Sequence, residues 1–219
     1  MPSREKELKS NISSILVRTG LVLLALSFCA FVFFYYPVIL KEISYLFSKP
    51  VTDKEVILNG SSDGKNNQKK VIVAADKEFS IVIPKIGANS KVIKNVDPYN
   101  SLEYQLKLTQ GVAHSKGTSV PGEKGNSFYF AHSSDSFVNA NRYNSVFYLL
   151  TKLAAGDPFY VIYEQKIYKY SVIESKVVSA EDISYLKGDE SKETATLMTC
   201  WPAGTTLKRY VVVGELLEQ

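Results

Sequence analysis

The sequence has few of the residues on which metal and phosphate chemistry depend. Its 219 residues include 2 cysteines, 2 histidines and 1 tryptophan. It has no Cys-x-x-Cys pair, no histidine pair at metal-ligand spacing and no glycine-rich phosphate loop. The net charge of +4 comes from dispersed residues, whereas nucleic-acid binding requires a clustered basic stripe. These absences argue against a zinc site, a phosphate-binding loop and a nucleic-acid interface.

One long apolar segment stands apart from the rest of the chain. The 22 residues from Thr19 to Leu40 carry no charge. At about 1.5 Å per helical residue they are long enough to cross a bilayer core of about 30 Å. A cleaved signal peptide is the alternative, but this run ends in aromatic residues and no Ala-x-Ala site follows it. We therefore expect an uncleaved transmembrane helix over residues 19–40.

The flanks of this segment predict how the chain is organised. Basic residues are slightly more numerous before the span than after it, so the positive-inside rule predicts a cytoplasmic tail over 1–18 and an extracellular remainder. Residues 41–70 have much of the composition of a flexible linker, and a catalytic domain is expected over 71–219. Because Cys29 lies in the span and Cys200 outside it, we expect no disulfide between them.

From Val71 onward, short strand-like runs alternate with turn residues, which favours a mostly antiparallel β barrel or sandwich with few helices. Residues 158–178 predict a hairpin that turns at Glu164. Short helices are predicted over 101–108, with Ser101 as N-cap, and over 144–153. The final two runs, TATLMTC and LKRYVVVGELL, predict a last pair of strands.

Cys200 is the one thiol outside the apolar span, and a nearby base or cation would make it a nucleophile. His132 follows the strand-like NSFYFA and could lie at the rim of a sheet, whereas His114 falls in a stretch predicted to be loop. A short connector could bring Arg209 beside Cys200. For each histidine a structural imidazole is the alternative, and for Arg209 a surface cation.

An acidic segment follows at Glu181, Asp182, Asp189 and Glu190. Carboxylates could hold calcium there, but their spacing matches no calcium-binding pattern. We therefore expect no cofactor and interpret this segment as a solvated surface.

Several motifs in this chain resemble those of the sortase family. Thr196-Leu197-Met198-Thr199-Cys200 matches the family's Thr-Leu-x-Thr-Cys signature, and Arg209 follows at the family's distance. The run IVIPKIGANSKVI resembles the family's first strand, and GVAHSKGTSVPGEKGNSFYFAHSSD resembles the segment leading to its catalytic histidine, here His132. The resemblance covers about Phe79 to Leu216 and is nearest to class D and related subclasses.

The resemblance implies a closed β barrel and a cysteine transpeptidase, in the hydrolase class, that acts by acyl transfer at the outer face of the cell. It implies that His132, Cys200 and Arg209 are catalytic. The implied partners are surface proteins bearing a Leu-Pro-x-Thr-Gly-like sorting signal and a cell-envelope amine acceptor, either a wall precursor or a pilin lysine.

The positions that flank the motif are expected to contact substrate. Thr199 precedes the nucleophile, Ala131 replaces the glycine common before the family's histidine, and Trp201 is bulkier than the residue that many relatives have. Two alternative functions remain open. One is a cysteine hydrolase that uses water as acceptor, and the other is a membrane-tethered binding module without activity.

The predicted topology can be tested with protease added to intact cells. We expect removal of the domain from Val71 onward and protection of the tail before Arg18, because only the former lies outside the predicted span. Immunoblotting for tags at the two ends measures this. Protection of the C-terminal domain would overturn the orientation.

Overall fold

The computed structural model describes residues 2–47, 55–58, 71–133 and 145–219. Most of the predicted linker 41–70 therefore lies outside the described residues. Within the described part, helix α1 spans Pro2–Phe47 and contains the 20-residue segment Ser14–Phe33, which is long and apolar enough to cross a membrane. This segment overlaps the predicted span over 19–40.

The rest of the described chain is mainly β structure. The strands in chain order are β1 (Glu55–Ile57), β2 (Val71–Val73), β3 (Phe79–Ile83), β4 (Ala88–Val96), β5 (Val112–Ser115), β6 (Gly125–Phe130), β7 (Pro158–Tyr163), β8 (Lys166–Ser179), β9 (Glu193–Trp201) and β10 (Lys208–Glu218). The further helices are α2 (Ser101–Leu108) and α3 (Ser184–Lys187), with 3-10 turns at Pro84–Ile86 and Leu150–Lys152.

Eight strands close into a barrel in the order β10-β8-β7-β3-β4-β5-β6-β9. The pairs β4–β5 and β6–β9 are parallel and the other pairs are antiparallel. This confirms the predicted closed and mostly antiparallel barrel. Closure removes the unpaired strand edges that an open sheet would leave.

The barrel interior is filled by alternate residues of its strands, as the two-residue period of a strand requires. Ile81, Tyr129, Phe159 and Leu197 are among the fully buried members of this core. Burying each such side chain contributes about 1.5–3 kcal/mol. The strands therefore have a fixed inner face, and the residues between these positions point outward.

The predicted hairpin over 158–178 is formed by β7 and β8. Its turn residues Glu164 and Gln165 have φ values of 49° and 63°. Two consecutive residues with positive φ give the turn whose twist matches that of paired strands.

Two helix predictions need correction. In α2 the N-cap is Asn100 and not Ser101, because the Asn100 side chain accepts the Glu103 N–H at 3.2 Å. The helix predicted over 144–153 is reduced, in its described residues, to turns and the 3-10 segment Leu150–Lys152. Phe147 and Leu150 are both fully buried three residues apart, a spacing that suits the 3-10 turn.

A small sheet covers one outer wall of the barrel. β1 and β2 pair in parallel, and Val56 packs with Val82 of β3 and Ile162 of β7. Val56 is buried although it lies inside the predicted linker 41–70. The chain is therefore attached to the barrel before the first barrel strand begins.

Gly214 in β10 gives a test of barrel packing. A Cβ at this position would clash with the Phe159 ring and lie 3.2 Å from the Tyr170 Cβ. Phe159 and Tyr170 stack with their ring centroids 5.2 Å apart, so neither ring can move aside freely. We expect Gly214→Ala to lower the free energy of unfolding by about 1–3 kcal/mol, measured by urea unfolding followed through Trp201 fluorescence.

Val177→Ala is the control, because that side chain is exposed on β8. It should change the free energy of unfolding by about 0.5 kcal/mol or less. Equal effects of the two substitutions would contradict the packing interpretation.

Candidate active site

Three adjacent strand segments bring His132, Cys200 and Arg209 into one row. β6 and β9 run parallel with Phe128 opposite Thr196 and Phe130 opposite Met198. Extending this register by two residues places His132 opposite Cys200. On the other side, β9 and β10 are antiparallel with Cys200 directly opposite Arg209.

Hydrogen bonds continue the β6–β9 pairing past the end of β6. The Ala131 N–H donates to the Met198 carbonyl at 3.2 Å. The buried Thr199 hydroxyl donates to the Ala131 carbonyl at 2.9 Å. The backbone on either side of Ala131 is thereby held against β9, which fixes the position from which the His132 side chain leaves the strand.

The alternation of β6 and β9 places the row on the outer face of the barrel. Tyr129 and Leu197 belong to the barrel core, whereas Phe128, Phe130 and Met198 pack in a second apolar cluster outside it. His132 and Cys200 each lie two residues beyond a member of this outer cluster. They therefore share its side of the sheet.

The row lines a cavity of about 520 Å³. Phe128, Phe130, Met198 and Leu108 form an apolar floor. The segment 180–186, between β8 and β9, forms one wall of the same cavity. A cavity that combines an apolar surface with several polar side chains is typical of a ligand-binding site.

Cys200 is half-buried in this cavity. Burial raises the pKa of the Cys200 thiol above its ordinary value, and the nearby Arg209 charge opposes that rise. At neutral pH the thiol form therefore predominates. Forming the nucleophilic thiolate requires a base or a charge that develops during the reaction.

Arg209 is held by its own connector. Its Nη1 donates to the Thr206 carbonyl at 2.9 Å and to the Lys208 carbonyl at 3.1 Å. A guanidinium has three further N–H groups, which can reach a substrate carbonyl or an oxyanion. The two backbone bonds restrict where those groups can point.

The three flanking residues occupy different positions. Thr199 and Ala131 line the cavity. Trp201 is half-buried, pairs with Lys208 and follows Cys200 directly, so it leaves β9 on the opposite face. Among the described residues Trp201 does not line the cavity, and its contact with substrate stays a prediction.

His114 lies away from the row, in β5 and not in the loop predicted for it. It is fully buried between the rings of Phe79 and Tyr129. Its Nε2 donates to the Ser119 carbonyl at 2.9 Å, and burial lowers the pKa of the ring. His114 is therefore a neutral core imidazole.

The acidic segment forms local hydrogen bonds. Asp182 accepts from the Ser184 hydroxyl and Asp189 from the Ser191 hydroxyl, at 2.6 and 2.7 Å. Within the described ranges no group of three or more histidine, cysteine or carboxylate side chains is placed to hold a metal ion.

Sequence reasoning did not find the floor and wall of the cavity. The apolar residues Phe128, Phe130 and Met198 alternate with core residues, and this pattern could have indicated a second apolar surface. Nothing local to the segment 180–186 indicates that it faces the cavity, because the contact depends on how the barrel closes.

Comparisons with known proteins identify the family of this chain. The Sortase domain family model matches residues 81–217. Sortase D of Bacillus subtilis is 25% identical over 179 residues, a match that covers 80% of this chain and 81% of that protein. The chain is 29% identical to sortase A of Listeria monocytogenes over 138 residues, but this match covers 63% of the chain and 55% of that protein.

The fold also matches solved structures of sortases. The crystal structure of sortase C-1 from Actinomyces oris superimposes with a TM-score of 0.55 at 30% identity. That match covers 66% of this chain and 76% of the other.

The ionisation of Cys200 can be read from its alkylation by iodoacetamide as a function of pH. Because burial raises the pKa of this thiol, we expect alkylation at neutral pH to be slower than that of an unstructured cysteine peptide. Arg209→Ala should slow it further, by up to about tenfold, since about 1.4 kcal/mol in an ionisation equilibrium corresponds to tenfold.

Arg209→Lys is the matched control, because it retains the positive charge. Its alkylation rate should lie close to that of the wild type. A wild-type midpoint below that of the cysteine peptide would contradict this picture and would mean that a neighbouring base ionises the thiol in the resting protein.

Proposed function

The chain belongs to the sortase family, and from this premise we propose that it is a membrane-anchored cysteine transpeptidase of the cell envelope. The observation that carries the proposal is the row of His132, Cys200 and Arg209 across three adjacent strand segments at the edge of an apolar cavity. A thiol can act as nucleophile, an imidazole as acid and base, and a permanent cation as oxyanion stabiliser in acyl transfer through a thioester.

The acyl donor in this proposal is a sorting signal similar to Leu-Pro-x-Thr-Gly on a surface protein. The signal binds as an extended strand, a conformation that a groove along a sheet can accept. The apolar floor formed by Phe128, Phe130 and Met198 supports burial of its Leu-Pro part. Its Thr–Gly bond then lies at the end of the cavity that Cys200 lines.

Acylation begins when the Cys200 thiol gives its proton to His132 and the resulting thiolate attacks the threonine carbonyl carbon. Arg209 stabilises the negative charge that develops on the carbonyl oxygen. His132, as imidazolium, donates its proton to the glycine nitrogen as the C–N bond breaks. The products of this step are a thioester on Cys200 and a free glycine amine that leaves.

Deacylation reverses the role of His132. An amine from the cell envelope attacks the thioester carbonyl, and neutral His132 accepts the proton that this amine loses. The C–S bond breaks, the new amide is released, and the Cys200 thiolate and the His132 imidazolium are restored. The acceptor is a wall precursor or a pilin lysine.

The proposal places the enzyme at the cell membrane. The apolar segment Ser14–Phe33 of α1 supports a single transmembrane anchor. We propose that the residues before it are cytoplasmic and that the barrel lies outside the cell, where sorting signals and envelope amines are present. No cofactor takes part in the proposed reaction.

A fluorogenic peptide that carries a sorting signal tests this function. We expect cleavage by the wild type, loss of cleavage in Cys200→Ala, and formation of an amide product when an amine is added. Mass spectrometry identifies this product. Release by water alone, with no amide product at any amine concentration, would instead establish the cysteine hydrolase, and absence of cleavage would leave a binding module.

The two histidines provide a matched pair for the same assay. His132→Ala should lower peptide cleavage by at least about 10²-fold, the typical contribution of a general acid or base. His114→Ala should cost much less activity, since His114 is buried away from the cavity. The opposite ranking would refute the assignment of His132.

A further inference from the structure

The wall of the cavity is formed by a segment with little secondary structure of its own. Residues 180–192 connect β8 to β9, and their first part, 180–188, contains only the four-residue helix α3. Ile183, Tyr185 and Leu186 line the cavity from this segment. Most of its residues are exposed, so its position depends on the few points at which it contacts the barrel.

One such point is the side chain of Asn126 in β6. Its Nδ2 donates to the Tyr185 carbonyl at 2.6 Å. Its Oδ1 accepts from the hydroxyls of Thr194 and Thr196, at 3.1 and 2.9 Å. Asn126 is only 2% exposed, so loss of its amide would remove this partner from the Thr196 hydroxyl and the Tyr185 carbonyl in a place that water reaches poorly. The Thr194 hydroxyl would keep its longer bond to the Gly125 carbonyl at 3.4 Å.

The second point is Gly188. A Cβ built on this residue would lie 2.6 Å from the Asn126 Cβ and 3.2 Å from its Cγ. Its φ of +63° also favours glycine. Gly188 therefore lets the backbone of the segment lie directly against the Asn126 side chain, and a larger residue would push it away.

We propose that Asn126 and Gly188 form a latch that fixes the 180–188 wall at the cavity, so that Asn126 is a positioning residue for recognition of the apolar part of the acyl donor. This inference rests on the proposed function for its substrate. The contact to Tyr185 is made by the Asn126 amide, and the two threonine hydroxyls orient that amide from the opposite side.

The latch acts on recognition and not on the reacting groups. Cys200 and Arg209 are held by the β9–β10 pairing, and the backbone beside His132 by the hydrogen bonds of Ala131. None of these contacts involves Asn126. Releasing the wall should therefore weaken peptide binding while leaving the chemistry of the thiol unchanged.

Kinetics of the full-length protein in detergent test the latch. With the fluorogenic sorting peptide, Asn126→Ala and Gly188→Ala should each raise KM by about fivefold to fiftyfold, as expected for loss of one buried hydrogen bond. Their kcat should remain within about threefold of wild type, a margin of about 0.7 kcal/mol. Iodoacetamide alkylation of Cys200 should be unchanged.

Matched controls exist elsewhere in the chain. The Asn89 amide bonds the backbone of Val73 and Ala75 at an exposed position, so Asn89→Ala removes side-chain to backbone hydrogen bonds away from the cavity. Gly156 has a φ of +88° with open space around its Cβ position, so Gly156→Ala adds backbone strain without a clash. Both should keep the wild-type KM.

Thr196→Val separates stability from positioning. It removes one of the two hydroxyls that donate to the Asn126 amide oxygen, while Thr194 still donates to that oxygen and the bond to Tyr185 remains. It should therefore lower the free energy of unfolding but raise KM much less than Asn126→Ala does. If KM rises in Thr196→Val as much as in Asn126→Ala, the effect is general destabilisation and the latch is refuted.

Hydrogen exchange gives a readout that needs no substrate. The Leu186 N–H donates to the Ile183 carbonyl at 3.1 Å. This amide should exchange faster in both latch variants, while amides of β9 keep wild-type rates. If one of the two variants fails to fold, the other is measured alone. Wild-type exchange rates across 180–188 in a folded variant would overturn the latch.

The two proposals fail in different ways. If the wild type cleaves no sorting peptide, the proposed function fails, and hydrogen exchange still decides whether Asn126 holds the wall. If the wild type cleaves the peptide and both latch variants keep its KM, the proposed function stands and the positioning role of Asn126 is overturned.

Discussion

The parallel pairing of β6 with β9 is the constraint on which the site depends. These strands are far apart in sequence, and their register sets which residue of one lies beside which residue of the other. A shift of one residue would turn Cys200 toward the barrel core and bring Trp201 to the cavity side. The fully buried Tyr129 and Leu197 oppose such a shift, because it would expose them. Core packing thus determines where Cys200 lies.

The site combines a rigid part and a part held at fewer points. His132, Cys200 and Arg209 leave adjacent barrel strand segments, whose positions follow from barrel closure. The 180–188 segment has a four-residue helix and depends on contacts with the barrel, among them the Asn126 amide. In the proposed function, the first part supplies the reacting groups and the second part contacts the acyl donor. A substitution in the second part can then change donor binding while the first part keeps its position.

Much of the fold could be predicted from the sequence because its signals are local. The sequence indicates a β barrel through the order of its motifs and the alternation in β9. The turn at Glu164 and Gln165 further marks where two of the strands end. The cap of α2 was misplaced by one residue because Asn100 and Ser101 are adjacent and both residue types can cap a helix. The strand β1 was missed because three residues carry too little pattern to stand out in a polar segment.

The candidate site could be predicted in part for the same reason. The Cys200 motif and the two histidines are visible in the sequence, and alternation along the last strands predicts that Cys200 and Arg209 can meet. The cavity wall could not be predicted, because it depends on a contact between Asn126 and Tyr185 that arises only when the barrel closes. The burial of His114 could not be predicted either, because it depends on barrel closure, which buries all of β5.

The small β1–β2 sheet and the cavity lie on different walls of the barrel. It covers β3 and β7, and β3 is four strands from β9 in either direction around the barrel. The polypeptide of the protein itself therefore joins the barrel on the wall opposite the cavity. The width of the barrel therefore separates the small sheet from the cavity. Packing in the small sheet can therefore change without direct contact with Cys200 or Arg209, since none of its residues lines the cavity within the described ranges.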